Sequence, residues 1–507
     1  MEALGKLGLG FSVALDSGNL LFCFVGVLLG TLVGVLPGLG PVGAISLLLP
    51  LTFKLPAVTG IIMLAGVFYG AMYGGSTTSI LVNIPGEAAS IVTCIDGYKM
   101  ARQGRAGPAL GIAAFASFIA GTIGVIGMMF FAPFLGQKAL SFGGPEYFAL
   151  TFLGLTLVTY LSKGSKINAL IMAVLGLLAG SIGADPVSGE QRFSHGSFTL
   201  FDGLGIVPVA MGMFGIAEVL ENIESGSVFD REIFKTTVKG LLPNLEDWKD
   251  SFWPIIRGSI LGFSIGILPG PGPIIAAFGS YSTEKKLSRN PEKFGNGAIE
   301  GVAGPESANN AATAGAFIPL LSLGLPGNVV MALIMGALMI HGIQPGPLFI
   351  GKYPDLFWGV IASMYIGNVM LLALNLPLIG MWVKILKIPY AILFPLIFLF
   401  CLIGVYTLNS NVVEIFIMLI FGVLGFIMRK KGFEGAPFLL ALVLGPIMES
   451  SFRQSLLISH GDLTIFISHP ISAVLLILGV VCLLSQLIPT FRKKKEGFLE
   501  KAIQEGA

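Results

Sequence analysis

Apolar stretches of about twenty residues, the length an α-helix needs to cross a bilayer, recur from one end of this chain to the other. They lie at 107–133, 146–161, 165–183, 206–223, 252–268, 354–376, 389–406, 411–428 and 464–488, and residues 20–36 read as the first of the series. Nothing else constrains the fold as strongly. In hydrocarbon every backbone N–H and C=O must be satisfied within the protein, and a helix does this unaided. Charge agrees: only 11% of the 507 residues are Asp, Glu, Lys or Arg, against roughly 25% in a soluble domain. That is too little to clothe a water-facing surface. The expectation is an all-α polytopic membrane protein with about 11–12 membrane segments. No small-residue cleavage site follows 20–36, so that stretch is read as a retained span, with residues 1–19 as an N-terminal interfacial segment. The net charge of +2 gives no reason to expect a nucleic-acid partner.

Two further stretches, 37–98 and 269–352, are apolar but broken by Gly, Pro, Ser, Thr and Asn. They read as short or re-entrant helices joined by irregular backbone, which at membrane depth is tolerated only inside protein or along a cavity. The two resemble one another. Gly34-Val-Leu-Pro-Gly-Leu-Gly-Pro41 matches Gly266-Ile-Leu-Pro-Gly-Pro-Gly-Pro273 at six of eight positions, and Asn83-Ile-Pro-Gly86 parallels Gly324-Leu-Pro-Gly327. The stretch 206–220 has a fainter echo at 442–456. The chain therefore divides into repeats at 20–223 and 252–460, a cytoplasmic linker at 224–251, an extra span at 461–490 and a tail at 491–507. Basic residues gather on the cytoplasmic side of membrane proteins. Here Lys99, Arg102 and Arg105 follow the Asn-Ile-Pro-Gly element, whereas Lys285, Lys286, Arg289 and Lys293 precede the Leu-Pro-Gly element. Corresponding loops thus fall on opposite faces. This predicts inverted-topology repeats with a site near the midplane, a cytoplasmic C-terminus and an N-terminus outside, which the resemblance given below makes periplasmic.

The broken stretches also hold the polar residues. In Tyr73-Gly-Gly-Ser-Thr-Thr-Ser-Ile-Leu-Val-Asn-Ile-Pro-Gly-Glu87, the glycines permit close backbone approach and Ser76, Thr77, Thr78 and Ser79 supply hydroxyls. Free N–H groups at a short helix start there attract anions, Asn83 donates or accepts, and Pro85-Gly86 exposes carbonyls that suit a cation. In Gly304-Pro-Glu-Ser-Ala-Asn-Asn-Ala-Ala-Thr313, continuing to Gly324–Asn328, adjacent Asn309 and Asn310 are costly to bury without partners. The expected substrate-binding set is Gly38, Gly40, Ser76, Thr77, Thr78, Asn83, Gly86, Gly270, Gly272, Asn309, Asn310, Thr313, Gly327 and Asn328. Glu87 and Glu306, ionisable residues in or near the membrane, are ion-coupling candidates; a proton relay needs one of these or Asp96 to titrate. Packing of small residues between helices is the competing account of each Ser, Thr and Gly.

Absences narrow the chemistry. Lys54 is the only Lys or Arg between Gly34 and Ser90, and none occurs between Gly295 and Pro347. A carboxylate substrate would be held by helix N-termini, hydroxyls and amides. No cofactor is expected beyond Na+ or H+ as coupling ion, with Na+ preferred because carbonyls and hydroxyls can ligate it. His195, His341, His460 and His469 lack HExxH spacing, no GxSxG or Walker sequence occurs, and Cys23, Cys94, Cys401 and Cys482 form no CxxC pair. Enzymatic and metal-centre readings are set aside. Gly38-Leu-Gly-Pro-Val-Gly43 fits GxGxxG formally, but a dinucleotide site needs a preceding strand, and a membrane helix stands there.

Taken together, Tyr73–Ala88, Asp96-Gly-Tyr-Lys-Met-Ala-Arg-Gln-Gly104, both Pro-Gly-x-Gly-Pro turns and Gly304–Ala311 resemble the large membrane subunit of tripartite tricarboxylate transporters, the TctA family. The resemblance covers roughly residues 20–460. It implies a place in the bacterial cytoplasmic membrane beside a small membrane subunit. It also implies a periplasmic solute-binding protein that delivers citrate or a related carboxylate, and secondary active uptake driven by an ion gradient. A passive anion channel or a non-transporting membrane scaffold is the alternative.

Overall fold

A computed structural model of the chain describes residues 2–36, 40–162, 164–185, 187–225, 240–385 and 390–487. The principal helices, in chain order, are α1 (Glu2–Ala14), α2 (Ser17–Val35), α3 (Gly40–Thr52), α4 (Ala57–Val82), α5 (Ile91–Met100), α6 (Ala106–Ala139), α7 (Gly144–Leu161) and α8 (Lys166–Gly180). There follow α9 (Ile206–Glu224), α10 (Leu245–Gly266), α11 (Gly272–Leu287), α12 (Glu300–Leu323), α13 (Val329–Ile340) and α14 (Pro354–Asn375). The series ends with α15 (Tyr390–Asn409), α16 (Val412–Lys430), α17 (Gly435–Ile458) and α18 (Pro470–Leu487). Seven helical segments of the described chain are long and apolar enough to cross a membrane, among them α2, α4, α9, α14, α16 and α17, and shorter apolar helices include α3, α8 and α13. The chain is an all-α polytopic membrane protein, its one small sheet among the described residues pairing 183–184 with 191–192.

Each half is built on a pair of helices in backbone contact. A Cβ on Gly26, Gly30 or Gly34 of α2 would lie 2.2, 2.5 or 2.2 Å from the carbonyl oxygens of Met63, Val67 and Ala71 on α4. In the second half, Gly258, Gly262 and Gly266 of α10 stand in the same relation, at 2.4, 2.2 and 2.3 Å, to Gly304, Ala308 and Ala312 of α12. Glycine every fourth residue forms a stripe along one helix face, and with no side chain there two backbones can touch. The echo between the halves thus extends beyond the turns to the packing itself.

Breaks follow at matching places. α2 ends at Val35 and α3 restarts at Gly40; α10 ends at Gly266 and α11 restarts at Gly272. α4 closes on Asn83 in the left-handed region (φ 59°) and α12 on Gly324 (φ 73°), the conformation that terminates helices. After each comes an x-Pro-Gly tip, and then a residue whose side chain caps the next helix. Glu87 accepts from Ala89 N, and Asn328 accepts from Met331 N.

Sequence and structure part company at 57–82. In place of the expected broken, re-entrant segment, α4 is one continuous helix, buried from Thr59 onward. Gly70, Gly74 and Gly75 weaken a helix by up to about 1 kcal/mol each relative to alanine, but contact with α2 and with Glu87 requires them. Residues 1–19 include α1, which packs on α14, where Gly10 abuts the Trp358 carbonyl. α10 begins at Leu245, inside the expected linker, of which 226–239 lie outside the described residues, as do 488–507.

At one end of α17 a loop cluster joins distant segments. Arg192 pairs with Asp185 and with Glu449 (2.9 Å), and Arg453 bonds Asp185 at 2.9 Å. The Arg192 guanidinium, then the amides of Ser188 and Val187, hold the Asp185 carboxyl well below the usual carboxylate range. An unfolded aspartate titrates near ~3.9, so the cluster stabilises the fold fully above that pH and loses its contribution as pH falls toward the depressed value. Arg192→Gln is expected to move acid unfolding to higher pH, followed by intrinsic fluorescence across a pH series. An unchanged acid midpoint would show the cluster to be idle.

Candidate functional site

The two breaks, the first tip and the residue that follows the second tip meet at one cavity of about 440 Å³. Its wall includes Gly40 and Pro41 of the first break, Pro85, Gly86 and Glu87 of the first tip, Gly270 and Pro271 of the second break, and Asn328 after the second tip. Close backbone contacts hold them there. A Cβ on Gly86 would fall 2.0 Å from Gly34 O, and Thr78 Oγ1 donates to Val35 O at 2.5 Å, so the first tip and the end of α2 are joined. In the second half Gly270 N donates to Gly327 O at 2.7 Å. Phe68 and Met72 of α4, Val158 of α7, Phe214 of α9 and Leu440 of α17 complete an apolar lining.

The electrostatics of the wall are distinctive. Glu87, Glu218 and Glu434 line it, and no lysine or arginine is among its described lining residues. Glu218 pairs with Arg429 at 3.6 Å, and Glu434 accepts from Ser162 Oγ at 2.8 Å. The first turns of α3, α11 and α13 also contribute to the wall. Helix N-termini carry partial positive charge and unsatisfied N–H groups, so three of them on one cavity provide for anionic groups without a cationic side chain.

Of the residues expected from sequence, Gly40, Gly86, Gly270, Asn328 and Glu87 stand on this wall. Gly272 and Gly327 lie beside it in the second break and tip, and Gly38 lies outside the described residues. The hydroxyl run does not reach the cavity. Ser76, Thr77 and Thr78 are buried along α4, where Ser76 Oγ donates to Tyr73 O at 2.9 Å; there is no helix start at 73–79 to present free N–H groups. Asn83 is exposed at the α4 C-cap.

Asn309, Asn310 and Thr313 are buried on α12, against the first half. Asn309 Nδ2 donates to Glu87 Oε1 at 3.2 Å, Asn310 Nδ2 to Ser117 Oγ at 2.8 Å, and Thr313 Oγ1 to Asn309 O at 3.0 Å. Glu306, also on α12, accepts from Thr93 Oγ1 at 2.5 Å. Asp96, a relay candidate by sequence, is a clasp: it takes the amides of Gly295, Gly297 and Ala298 at 2.8–2.9 Å and the Tyr281 hydroxyl at 2.9 Å.

Glu218 and Glu434 are not among the residues expected. Glu218 could have been found as an acid inside the apolar run 206–223. Glu434 carries no such mark, because it follows the basic cluster 429–431 and reads as a loop residue.

Comparison with known proteins bears on what this cavity serves. The model of the tripartite tricarboxylate transporter TctA family matches residues 20–440, which contain both breaks and both tips. An uncharacterized 52.8 kDa protein in the TAR-I ttuC' 3' region of Agrobacterium vitis is 52% identical over 98% of each chain. A second uncharacterized protein, in the TAR-II ttuC' 3' region of the same organism, is 54% identical over 46% of this chain and 97% of its own. No solved structure matches. With the family model spanning most of its length, this chain belongs to the tripartite tricarboxylate transporter TctA family.

Proposed function

We propose that this chain is the permease subunit of a binding-protein-dependent system for secondary active uptake of a di- or tricarboxylate of the citrate type. It works in the bacterial cytoplasmic membrane with a small membrane subunit and a periplasmic solute-binding protein, driven by a Na+ or H+ gradient. The observation that carries the reading is the cavity to which both breaks, the first tip and the residue after the second tip contribute. Helix starts there meet the substrate's carboxylates, as half-helix N-termini do in other transporters.

Coupling follows from charge. A polyanion entering beside Glu87 and Glu434, with Glu218 already paired to Arg429, is repelled in a low-dielectric site unless cations or protons enter with it. The halves are read as inverted-topology repeats. In support, the equivalent helices α4 and α12 run in opposite directions, with Phe68 against Phe317 at one level and Ile80 and Val302 converging on Gly97 at another. The two basic-flanked loops also lie on one side, where Gln103 Nε2 donates to Asn296 O at 2.8 Å. On this reading the C-terminus is cytoplasmic and the N-terminus lies outside.

Cells expressing the chain with both partners are expected to accumulate radiolabelled citrate, and to lose accumulation when the Na+ and H+ gradients are collapsed. Ala88 is exposed on the cavity wall, so Ala88→Trp fills the void with little effect on packing. It is expected to cut uptake at least about tenfold, a loss of about 1.4 kcal/mol, at unchanged membrane abundance. Wild-type uptake by Ala88→Trp would remove the cavity from the pathway. Gradient-independent flux following the substrate's own potential would identify a passive anion channel.

A further inference from the structure

Behind the Glu87 wall of the cavity, two carboxylates flank one amide. Glu87 has donors on both oxygens: Asn309 Nδ2 on Oε1 at 3.2 Å and Ala89 N on Oε2 at 2.5 Å. Glu306 has a donor on one oxygen, with Thr93 Oγ1 bonded to Oε1 at 2.5 Å. Its Oε2 has no hydrogen-bond partner, and neither has Oδ1 of Asn309, although each residue is only 1% exposed. Residues three apart adjoin on a helix surface, so two bare acceptors share one face of α12. Acceptors cannot bond each other, and a buried polar atom without a partner costs about 1–3 kcal/mol.

Among the described residues no free cation faces Glu306 to compensate a negative charge. α10 contributes Arg257, which Glu284 of α11 engages, while Tyr281 of α11 is bonded to Asp96. The titratable groups acting on Glu306 are Glu87 from the tip, Cys94 of α5, and Tyr73 of α4, whose hydroxyl donates to Ala114 O at 2.5 Å. From α6 comes Ser117, which accepts from Asn310 Nδ2 at 2.8 Å; its hydroxyl neighbours the Glu306 carboxyl but lies outside hydrogen-bond geometry with Oε2. All of these are acids or neutral groups. A metal cation would draw on several oxygens, whereas two here lack a donor.

We infer that Glu306 is a proton-binding site, carrying one proton on Oε2 that is donated to Asn309 Oδ1. One proton satisfies both bare atoms and converts the carboxylate to a neutral acid. Its loss restores the charge and returns Asn309 to a bond with Glu87 alone. Because Asn309 also holds Glu87, and Glu87 is part of the cavity wall, the protonation state of Glu306 reaches the cavity through one amide. The place of this proton in a transport cycle rests on the proposed function; the site itself does not.

The test therefore uses no substrate. Infrared difference spectra of the full-length chain in lipid, recorded as pH is lowered in K+ medium, are expected to show a protonated-carboxyl band. The band should be lost in Glu306→Gln and kept in Glu87→Gln. In Asn309→Leu, which leaves the acid but removes its acceptor, the band should persist at higher frequency. This second variant keeps the test decisive if Glu306→Gln folds poorly. Exchanging K+ for Na+ at constant pH should leave the band in place. A band unaffected by Glu306→Gln and unshifted in Asn309→Leu would overturn the inference, as would a band abolished by Na+, which would make a metal ion the occupant. Failure of citrate uptake alongside a normal band would sink the proposed function and leave the proton site standing.

Discussion

Gly262→Ala and its counterpart Gly30→Ala are expected to destabilise the protein severely, each by prising apart the central helix pair of its own half. An added methyl at Gly262 would lie 2.2 Å from Ala308 O and 2.6 Å from Ala308 Cα. At Gly30 it would lie 2.5 Å from Val67 O and 2.8 Å from Val67 Cα. In both cases the obstacle is backbone within a buried helix, which cannot rotate away as a side chain can. Overpacking of this kind costs about 1–3 kcal/mol, occasionally more, and each one or two kcal/mol changes the folded-to-unfolded ratio about 5–30-fold. Gly336 provides the control: it sits on buried α13, and a methyl added there would meet nothing within 4 Å. At that position alanine fits and raises helix propensity by up to about 1 kcal/mol. Size-exclusion profiles and thermal unfolding in detergent would measure the difference. If Gly262→Ala and Gly30→Ala behave like Gly336→Ala, the helix pairs are not in backbone contact and the account of the fold fails.

Asp96→Ala is expected to release the loop at 295–298 and to lower stability by at least about 3 kcal/mol. Hydrogen bonds to a charged group contribute about 1.5–3 kcal/mol each, and Asp96 receives four while fully buried. Water can replace the carboxylate at the partly exposed amides of Gly295 and Gly297, but not at buried Ala298. The loss is thus smaller than four full bonds and larger than one. Asp96→Asn keeps an oxygen for the amides and is expected to retain most of the stability. Proteolysis within the loop joining α11 to α12, with thermal unfolding, distinguishes the variants. Equal stability of Asp96→Ala and the parent would show that the clasp carries no load, and would reopen Asp96 as a relay residue.

Much of the architecture was legible in the chain. The spans expected at 354–376 and 411–428 are α14 and α16 to within two residues, and the twin Pro-Gly-x-Gly-Pro turns mark the breaks after α2 and α10. Another signal was present and unused. Glycine recurs at 26, 30 and 34 and again at 258, 262 and 266, the four-residue spacing that allows backbones to touch. The site was legible in part. Glycine and proline at a turn act locally, so Gly40, Gly86 and Gly270 could be placed at the breaks and tips from neighbouring residues alone. The hydroxyls at 76–79 could not be judged that way, because whether such a run starts a helix or lies within one depends on the glycines packing against α2.

By itself the sequence determined the class and the punctuation: apolar length makes membrane helices, and paired Gly/Pro elements interrupt them at matching points of two halves. Tertiary structure alone decided which polar groups face one another. It brought Glu218 and Glu434 to a wall shared with Glu87, committed Asp96 to a loop from the other half, and left Glu306 and Asn309 each with an unpartnered oxygen. The reason is one of range. Helix formation and termination depend on residues a turn or two away, whereas the direction a buried side chain faces is set by whichever helix packs against it, often from the opposite half of the chain.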